Sequence, residues 1–136
     1  MAREVFVDSS AWFPALLRKH PDHPKVSAAL RGAVDDHMRI VTTNLVVAET
    51  HVLLLRRDRR ETALGFVRTV GEAPNIVVRS SQELEAHALT DWLEPYGDHA
   101  FSFTDAVSFA VMADRDIEEV IALDEHFAVA GYRLAV

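Results

Sequence analysis

Short apolar runs alternate along this chain with longer segments of helical pattern, and this alternation restricts the fold more than any other feature. The runs predicted as strands cover residues 4–7, 39–42, 75–79, 119–123 and 132–136. Short, mostly apolar strands separated by helices are typical of parallel sheets buried on both faces. We therefore expect an α/β fold of three layers, with a central parallel sheet of four or five strands and helices on both sides.

Capping signals predict where the intervening helices begin. The predicted N-caps are Ser9 or Ser10, Thr43 or Asn44, and Ser102 or Thr104, and a capping box is predicted at Ser80 and Glu83. The helices are expected to end near residues 19, 36, 57, 71, 94 and 115. No repeat or linker interrupts this pattern, so the 136 residues predict one domain, residues 1–136.

Composition excludes several classes of protein. The chain has no cysteine, which rules out disulfides, thiolate zinc sites and cysteine nucleophiles and fits a reducing cytoplasm. The N-terminal pattern predicts a strand and not a signal peptide, and no apolar run approaches the roughly 18 residues of a membrane span. The formal net charge of −7 argues against general affinity for nucleic acid. The one dense basic run, residues 56–60, is interpreted as a solvated helix junction.

Two carboxylates directly follow predicted strands. Asp8 comes after residues 5–7 and Asp124 after residues 121–123. The carboxyl edge of an open α/β sheet is where such folds bind ligands. Taken alone, either residue is better explained as a helix cap or turn aspartate.

Two further carboxylates lie on apolar helices. The helical neighbours of Glu49 include Leu45, Val46 and Leu53, so this side chain is expected to face the interior and to need a metal ion or an arginine partner. Asp105 begins a strongly apolar helix in which hydroxyl residues share its face. Taken alone, Asp105 is an acid that complements the helix dipole.

Convergence of these acids would predict a metal site. Carboxylates brought together repel each other unless a cation neutralises them. Oxygen ligands without a thiolate favour Mg²⁺ or Mn²⁺ over zinc. Cleavage of a phosphodiester is the reaction that uses such an ion most fully, because the ion polarises the phosphate and activates water.

The four acids lie in motifs that together resemble the PIN domain, and within it the VapC-type toxin ribonucleases. The motifs are residues 5–11 (Val-Phe-Val-Asp-Ser-Ser-Ala), 46–50 (Val-Val-Ala-Glu-Thr), 101–112 (Phe-Ser-Phe-Thr-Asp-Ala-Val-Ser-Phe-Ala-Val-Met) and 121–127 (Ile-Ala-Leu-Asp-Glu-His-Phe). They occur in the family's order and span nearly the whole chain.

The resemblance implies a PIN-like, Rossmann-like sheet and a Mg²⁺-dependent endoribonuclease that leaves 5′-phosphate and 3′-hydroxyl ends. It assigns Asp8, Glu49, Asp105 and Asp124 to the metal site, with Thr104 in support. Asp8 and Asp105 would bind the principal metal ion. Glu49 would bind the ion or orient its water, and Asp124 would complete the site. Glu125 is an alternative to Asp124 at the fourth position.

The resemblance also implies an RNA substrate, a homodimer and an antitoxin that blocks the site. A PIN ribonuclease of RNA maturation and an inactive PIN interaction module stay open as alternatives. A phosphoacceptor domain of the response-regulator kind is disfavoured, because the only lysines, Lys19 and Lys25, lie early in the chain. The sequence does not identify which RNA is cut.

Overall fold

A computed structural model describes residues 3–136 of the chain. Its centre is a sheet of five parallel strands in the order β3-β2-β1-β4-β5. The strands are β1 (Glu4–Val7), β2 (Arg39–Thr43), β3 (Ile76–Val78), β4 (Glu119–Ile121) and β5 (Arg133–Leu134). The predicted three-layer α/β fold with a parallel sheet is confirmed, with five strands.

Helices connect these strands and cover the sheet. They are α1 (Ser9–Ala15), α2 (His23–Asp35), α3 (Asn44–Arg57), α4 (Arg60–Val70), α5 (Gln82–His87), α6 (Phe103–Asp114) and α7 (His126–Val129). A π-helical segment, Ala88–Leu93, continues α5. In the described part of the chain, no helix is both long and apolar enough to cross a membrane.

Two of the predicted helix starts are wrong. Asp8, and not Ser9 or Ser10, is the N-cap of α1, because the hydroxyls of both serines bind groups from other parts of the chain. The predicted capping box at Ser80 and Glu83 does not form. Ser81 is the N-cap of α5, and the Ser80 hydroxyl donates to Glu85 at 2.6 Å instead.

The core is built around α6, a mostly apolar helix. Residues 105–112 of this helix are all buried, so its central part lies inside the molecule and only its ends reach the surface. The Phe109 ring has edge-to-face contacts with Phe101 and Phe127, both with centroids 5.0 Å apart. The Phe127 ring in turn lies 6.1 Å from Phe6 of the central strand. This aromatic cluster fixes α6 and α7 against the middle of the sheet.

Strand order determines where a functional site is expected. β1 pairs with β2 on one side and with β4 on the other, so the direction of winding reverses between β1 and β4. Val7 lies beside Ile121, and the Asp8 amide donates to the Ile121 carbonyl at 3.1 Å. In open α/β sheets, the crevice at such a switch point is the usual ligand site. The residues that follow β1 and β4 therefore meet at this crevice.

We expect Phe109→Ala to lower the free energy of unfolding by about 3–5 kcal/mol, the usual cost of deleting a fully buried phenylalanine ring. Phe109 has no solvent exposure. Urea denaturation followed by circular dichroism measures the loss. Phe103→Ala is the matched control, because Phe103 lies on the same helix with 46% of its surface exposed. Equal losses in the two variants would contradict the assignment of Phe109 to the core.

Candidate active site

Asp8 is the most deeply buried acid at the switch point, with 2% exposure. Its Oδ2 atom accepts hydrogen bonds from the Ser10 amide at 3.1 Å and from the Ser10 hydroxyl at 2.8 Å. Its Oδ1 atom is buried and accepts no hydrogen bond from the described residues. A buried carboxylate oxygen without a donor is costly, so this atom is a place that a proton or a cation would stabilise.

Burial raises the pKa of Asp8 from 3.8 to about 6. The two hydrogen bonds from Ser10 act in the opposite direction, and the nearby charges of Asp105 and Glu49 raise the pKa further. The carboxylates of α6 and α3 are thus close enough to Asp8 to act on its charge.

Ser10 connects the ends of the two central strands. While its hydroxyl donates to Asp8, the same oxygen accepts from the amides of Leu123 at 2.9 Å and Asp124 at 3.3 Å. The loop after β4 is therefore fastened to the turn after β1. Sequence reasoning considered Ser10 only as a helix cap and missed this connection, because it depends on strand order.

Glu49 lies on α3 at the side of the same crevice. Its Oε1 atom accepts a hydrogen bond from the Ser9 hydroxyl. The expectation that its helix face points wholly into the interior is wrong, because Glu49 is half-buried and Val52 on the same face is 40% exposed. The acid therefore borders the crevice and does not lie within the core.

Asp105 lies in the first turn of α6 and is 7% exposed. It forms a capping box with Ser102: the Ser102 amide donates to Asp105 Oδ2 at 3.1 Å, and the Asp105 amide donates to the Ser102 hydroxyl at 3.0 Å. This box explains why a hydroxyl and an acid occur together at the start of an apolar helix. Thr104 is half-buried beside it, and its carbonyl accepts from the Ser108 hydroxyl at 2.9 Å.

His126 joins the last two acids. Its Nδ1 atom lies 2.9 Å from Asp105 Oδ2 and 3.4 Å from Asp124 Oδ1, and its amide donates to Asp124 Oδ1 at 2.9 Å. The hydrogen bond to Asp105 is the main cause of a raised pKa of His126, and the charges of Asp124, Asp105 and Asp8 add to it against the effect of burial. Glu125, the alternative to Asp124, is exposed.

The four predicted acids thus belong to one cluster that contains a fifth residue. Ligand atoms of Asp105, Asp124 and His126 all lie within 4.8 Å of one another. Asp8 joins this group through Ser10 and through its effect on the pKa of His126. Sequence reasoning did not single out His126. The available signal was its position two residues after Asp124, close enough for its amide to bond that carboxylate.

The donor set fits a divalent cation. It offers carboxylate oxygens, one of them buried and unpartnered, and one imidazole nitrogen, while the chain has no thiolate. Carboxylate-rich sites of this kind suit Mg²⁺ and Mn²⁺. A cation would also offset the burial cost of the Asp8 charge, which is the main cause of its raised pKa, and the smaller repulsion from Asp105 and Glu49.

Comparison with known proteins gives a consistent result. The sequence profile of the PIN domain matches residues 5–131. The 23S rRNA-specific endonuclease VapC20 of Mycobacterium tuberculosis, from strains CDC 1551 / Oshkosh and ATCC 25618 / H37Rv, is 32% identical to the chain over 128 residues, which cover 94% of the chain and 95% of the relative. A crystal structure of M. tuberculosis VapC20, described as a sarcin-ricin loop cleaving toxin, superposes with a TM-score of 0.89, 28% identity and coverage of 98% of both chains.

We expect Asp8→Asn to stabilise the metal-free protein at pH 7. The native state holds the Asp8 proton more tightly than the unfolded chain does, so the free energy of unfolding decreases as the pH rises from about 4 to about 6. One pH unit corresponds to about 1.4 kcal/mol, so the total decrease is about 3 kcal/mol. Urea unfolding of wild type and variant at pH 4, 5, 6 and 7 measures this difference.

The exposed acid Asp35 supplies the control for that series. Asp35→Asn is expected to leave the pH dependence of stability unchanged. Addition of Mn²⁺ at pH 7 is expected to raise the melting temperature of wild type more than that of Asp8→Asn. An identical pH dependence of stability in wild type and Asp8→Asn would show that burial does not raise the pKa of Asp8.

Proposed function

The chain belongs to the PIN domain family, and from this premise we propose that it is a metal-dependent endoribonuclease, the toxin of a toxin–antitoxin pair. The observation that carries the proposal is the buried, unpartnered oxygen of Asp8, which lies in a cluster of acids at the switch point of the sheet. A divalent cation would neutralise this arrangement, and the bound cation would in turn attract a phosphate group.

Asp8 and Asp105 are proposed as the principal ligands of Mg²⁺ or Mn²⁺. Both are buried, and both are fixed by hydrogen bonds to the first turn of a helix. Asp124 is proposed to complete the site, since its carboxylate lies beside that of Asp105. When bound, the cation would polarise the scissile phosphate and lower the pKa of a water molecule.

The remaining residues position these ligands. Glu49, held by the Ser9 hydroxyl at the side of the crevice, is proposed to orient the attacking water or to accept its proton. His126 keeps Asp105 and Asp124 close to each other through its Nδ1 atom. Ser10 keeps the Asp124 loop against Asp8, and Thr104 supports the first turn of α6 next to Asp105.

Ribosomal RNA is the proposed substrate class. The support is the curated relative, a 23S rRNA-specific endonuclease that aligns over 94% of the chain. The family chemistry predicts products with 5′-phosphate and 3′-hydroxyl ends. A toxin of this type acts in the cytoplasm and is held inactive by an antitoxin protein that covers the site, and we propose both for this chain.

A homodimer is proposed on the basis of exposed apolar residues on one helix. Val52 and Leu55 are three residues apart on α3, and they are 40% and 46% exposed. Residues at this spacing share a helix face. A second copy of the chain would cover this face and remove both side chains from water.

We expect Asp8→Ala and Asp105→Asn each to reduce RNA cleavage in Mg²⁺ or Mn²⁺ by at least about 100-fold, because a loss of 2.7 kcal/mol of charge stabilisation has that effect on a rate. Cleavage of total RNA is followed on gels with the purified variants. Asp35→Asn, which removes an exposed acid remote from the site, is the matched control. Full cleavage by both site variants would contradict the proposed ligands.

Expression of the wild type in cells identifies the substrate. New 5′ ends are expected within the large ribosomal RNA, and they are expected to be absent when Asp105→Asn is expressed. New ends found only in transfer RNA would support the proposed ribonuclease activity but contradict the proposed ribosomal substrate. Growth arrest without any new RNA ends would reject the ribonuclease itself.

We expect the double variant Val52→Asp, Leu55→Asp to sediment as a monomer of 15.2 kDa, whereas the wild type sediments with twice that mass. Charged side chains in a buried apolar contact are strongly unfavourable. Analytical ultracentrifugation gives the mass of both. Leu89→Asp is the control, because Leu89 is 47% exposed but lies in the π-helical segment. A wild type that sediments as a monomer would overturn the proposed dimer.

A further inference from the structure

A groove of about 650 Å³ lies between the end of α1 and the junction of α3 with α4. Its rim carries the basic side chains Arg18, Lys19, Arg57 and Arg59. Its floor includes the apolar side chains Phe13 and Leu17, which pack against the core. We refer to it below as the basic groove.

Tertiary structure creates this concentration of charge. Arg18 and Lys19 are separated along the chain from Arg57 and Arg59 by about forty residues, and packing of α1 against α3 brings the two pairs together. The contact of the Trp12 and Phe66 rings, with centroids 5.5 Å apart, holds α1 against α4 as well. The basic run at 56–60 is therefore one wall of a groove, in addition to being a helix junction.

The charge of the basic groove is not neutralised from within. Among the residues that the structure describes, Asp58 is the only acid that lines it, and Asp58 already accepts a hydrogen bond from the Thr62 hydroxyl at 2.5 Å. Within residues 3–136, none of the four rim cations forms an ion pair within 4.0 Å. All four are exposed. The rim thus presents four positive charges to whatever enters the groove.

A second groove in the same molecule also has basic side chains, but acids of the same groove pair with them. It has about 730 Å³ and lies at the amino ends of the strands, with four arginines and four acids in its lining. These residues pair with each other, as Arg115 does with Glu4 at 2.8 Å and Arg133 with Glu119 at 2.9 Å. The basic groove is therefore distinguished by unpaired cations, and not by its size.

We propose that the basic groove binds the phosphate backbone of the substrate RNA beyond the scissile bond, an inference that rests on the proposed ribonuclease function. A protein with a net charge of −7 needs a local surface of opposite sign to hold RNA, because affinity for phosphate comes from Lys and Arg. The basic groove supplies such a surface. Its apolar floor fits the ribose and base surfaces that face away from the phosphates.

The position of α1 connects the basic groove to the acids. Asp8 caps the beginning of this helix, and the groove is lined by Phe13 near its end and by residues 16–20 just beyond it. A seven-residue helix rises about 10 Å at 1.5 Å per residue. At about 3.4 Å per phosphate, the rise of a helically stacked strand, that distance corresponds to about three nucleotides. An RNA strand that follows α1 from the acids therefore reaches the basic groove after about three nucleotides.

The test compares the RNA affinity of the double variant Arg57→Gln, Arg59→Gln with that of wild type. Affinity is measured by fluorescence anisotropy of labelled single-stranded RNA, with Ca²⁺ in place of the proposed catalytic Mg²⁺ or Mn²⁺. At 0.1 M salt, loss of two phosphate contacts is expected to weaken binding of a 20-nucleotide RNA by about 25-fold. Each contact adds about 0.7 to the slope of log affinity against log salt concentration, so at 0.1 M, one decade below 1 M, it contributes about 0.7 logarithmic units of affinity. The slope of log affinity against log salt concentration is expected to fall by about 1.4. With a trinucleotide the loss is expected to shrink below about threefold.

Arg31→Gln, Arg68→Gln is the matched control, because it removes two exposed arginines that do not line the basic groove. Melting temperatures establish that both double variants are folded. If the groove variant and the control bind the long RNA equally, the proposal is overturned. A groove variant that binds RNA normally but no longer binds the antitoxin would also overturn it, and would assign the groove to a protein partner.

Failure of the proposed function gives a different result. In that case the wild type itself cleaves no RNA with Mg²⁺ or Mn²⁺, whatever the state of the basic groove. A wild type that cleaves RNA, together with a groove variant whose affinity and salt dependence are unchanged, rejects the groove alone. A lower affinity that is seen only for the groove variant and only with long RNA supports the proposal that the basic groove binds RNA.

Discussion

Burial of the Asp8 carboxylate at the end of the central strand is the constraint on which the site depends. The strand delivers this residue to the switch point, where it is 2% exposed and near two other acids. Water cannot solvate the buried Asp8 carboxylate, so hydrogen bonds from neighbouring residues must stabilise it. One of its oxygens, Oδ1, accepts no hydrogen bond from the described residues. The hydrogen bonds from Ser10 and the raised pKa of Asp8 follow from this single placement.

Serine hydroxyls hold the parts of the site together. Ser9 binds Glu49 of α3, Ser10 binds both Asp8 and the loop after β4, and Ser102 closes the first turn of α6 on Asp105. His126 then joins that turn to Asp124. Each acid is therefore fixed by a neighbour from another element or from its own cap. A site assembled in this way is organised before any ligand binds, which lowers the cost of binding.

The two grooves show how charge is distributed on an acidic protein. At the amino ends of the strands, arginines and acids pair with each other, as Arg115 does with Glu4. At the end of α1, cations from two distant segments lie together and form no ion pair with another described residue. The net charge of the chain, −7, does not indicate the local charge of either groove. For a proposed ribonuclease, the local arrangement is what matters, because phosphate interacts mainly with charges within about a Debye length.

Local sequence patterns predicted the layered fold and the strand positions to within two residues, because apolar runs and helix caps depend on near neighbours in the chain. The resemblance to the PIN domain selected the four acids that meet at the crevice. The same patterns predicted the wrong cap for α1 and the wrong face for Glu49, and they assigned no role to His126. These points follow from the folded structure, because they depend on strand order and on contacts between residues far apart in the chain. The Ser10 hydroxyl, for example, reaches Asp124 only because β4 lies beside β1.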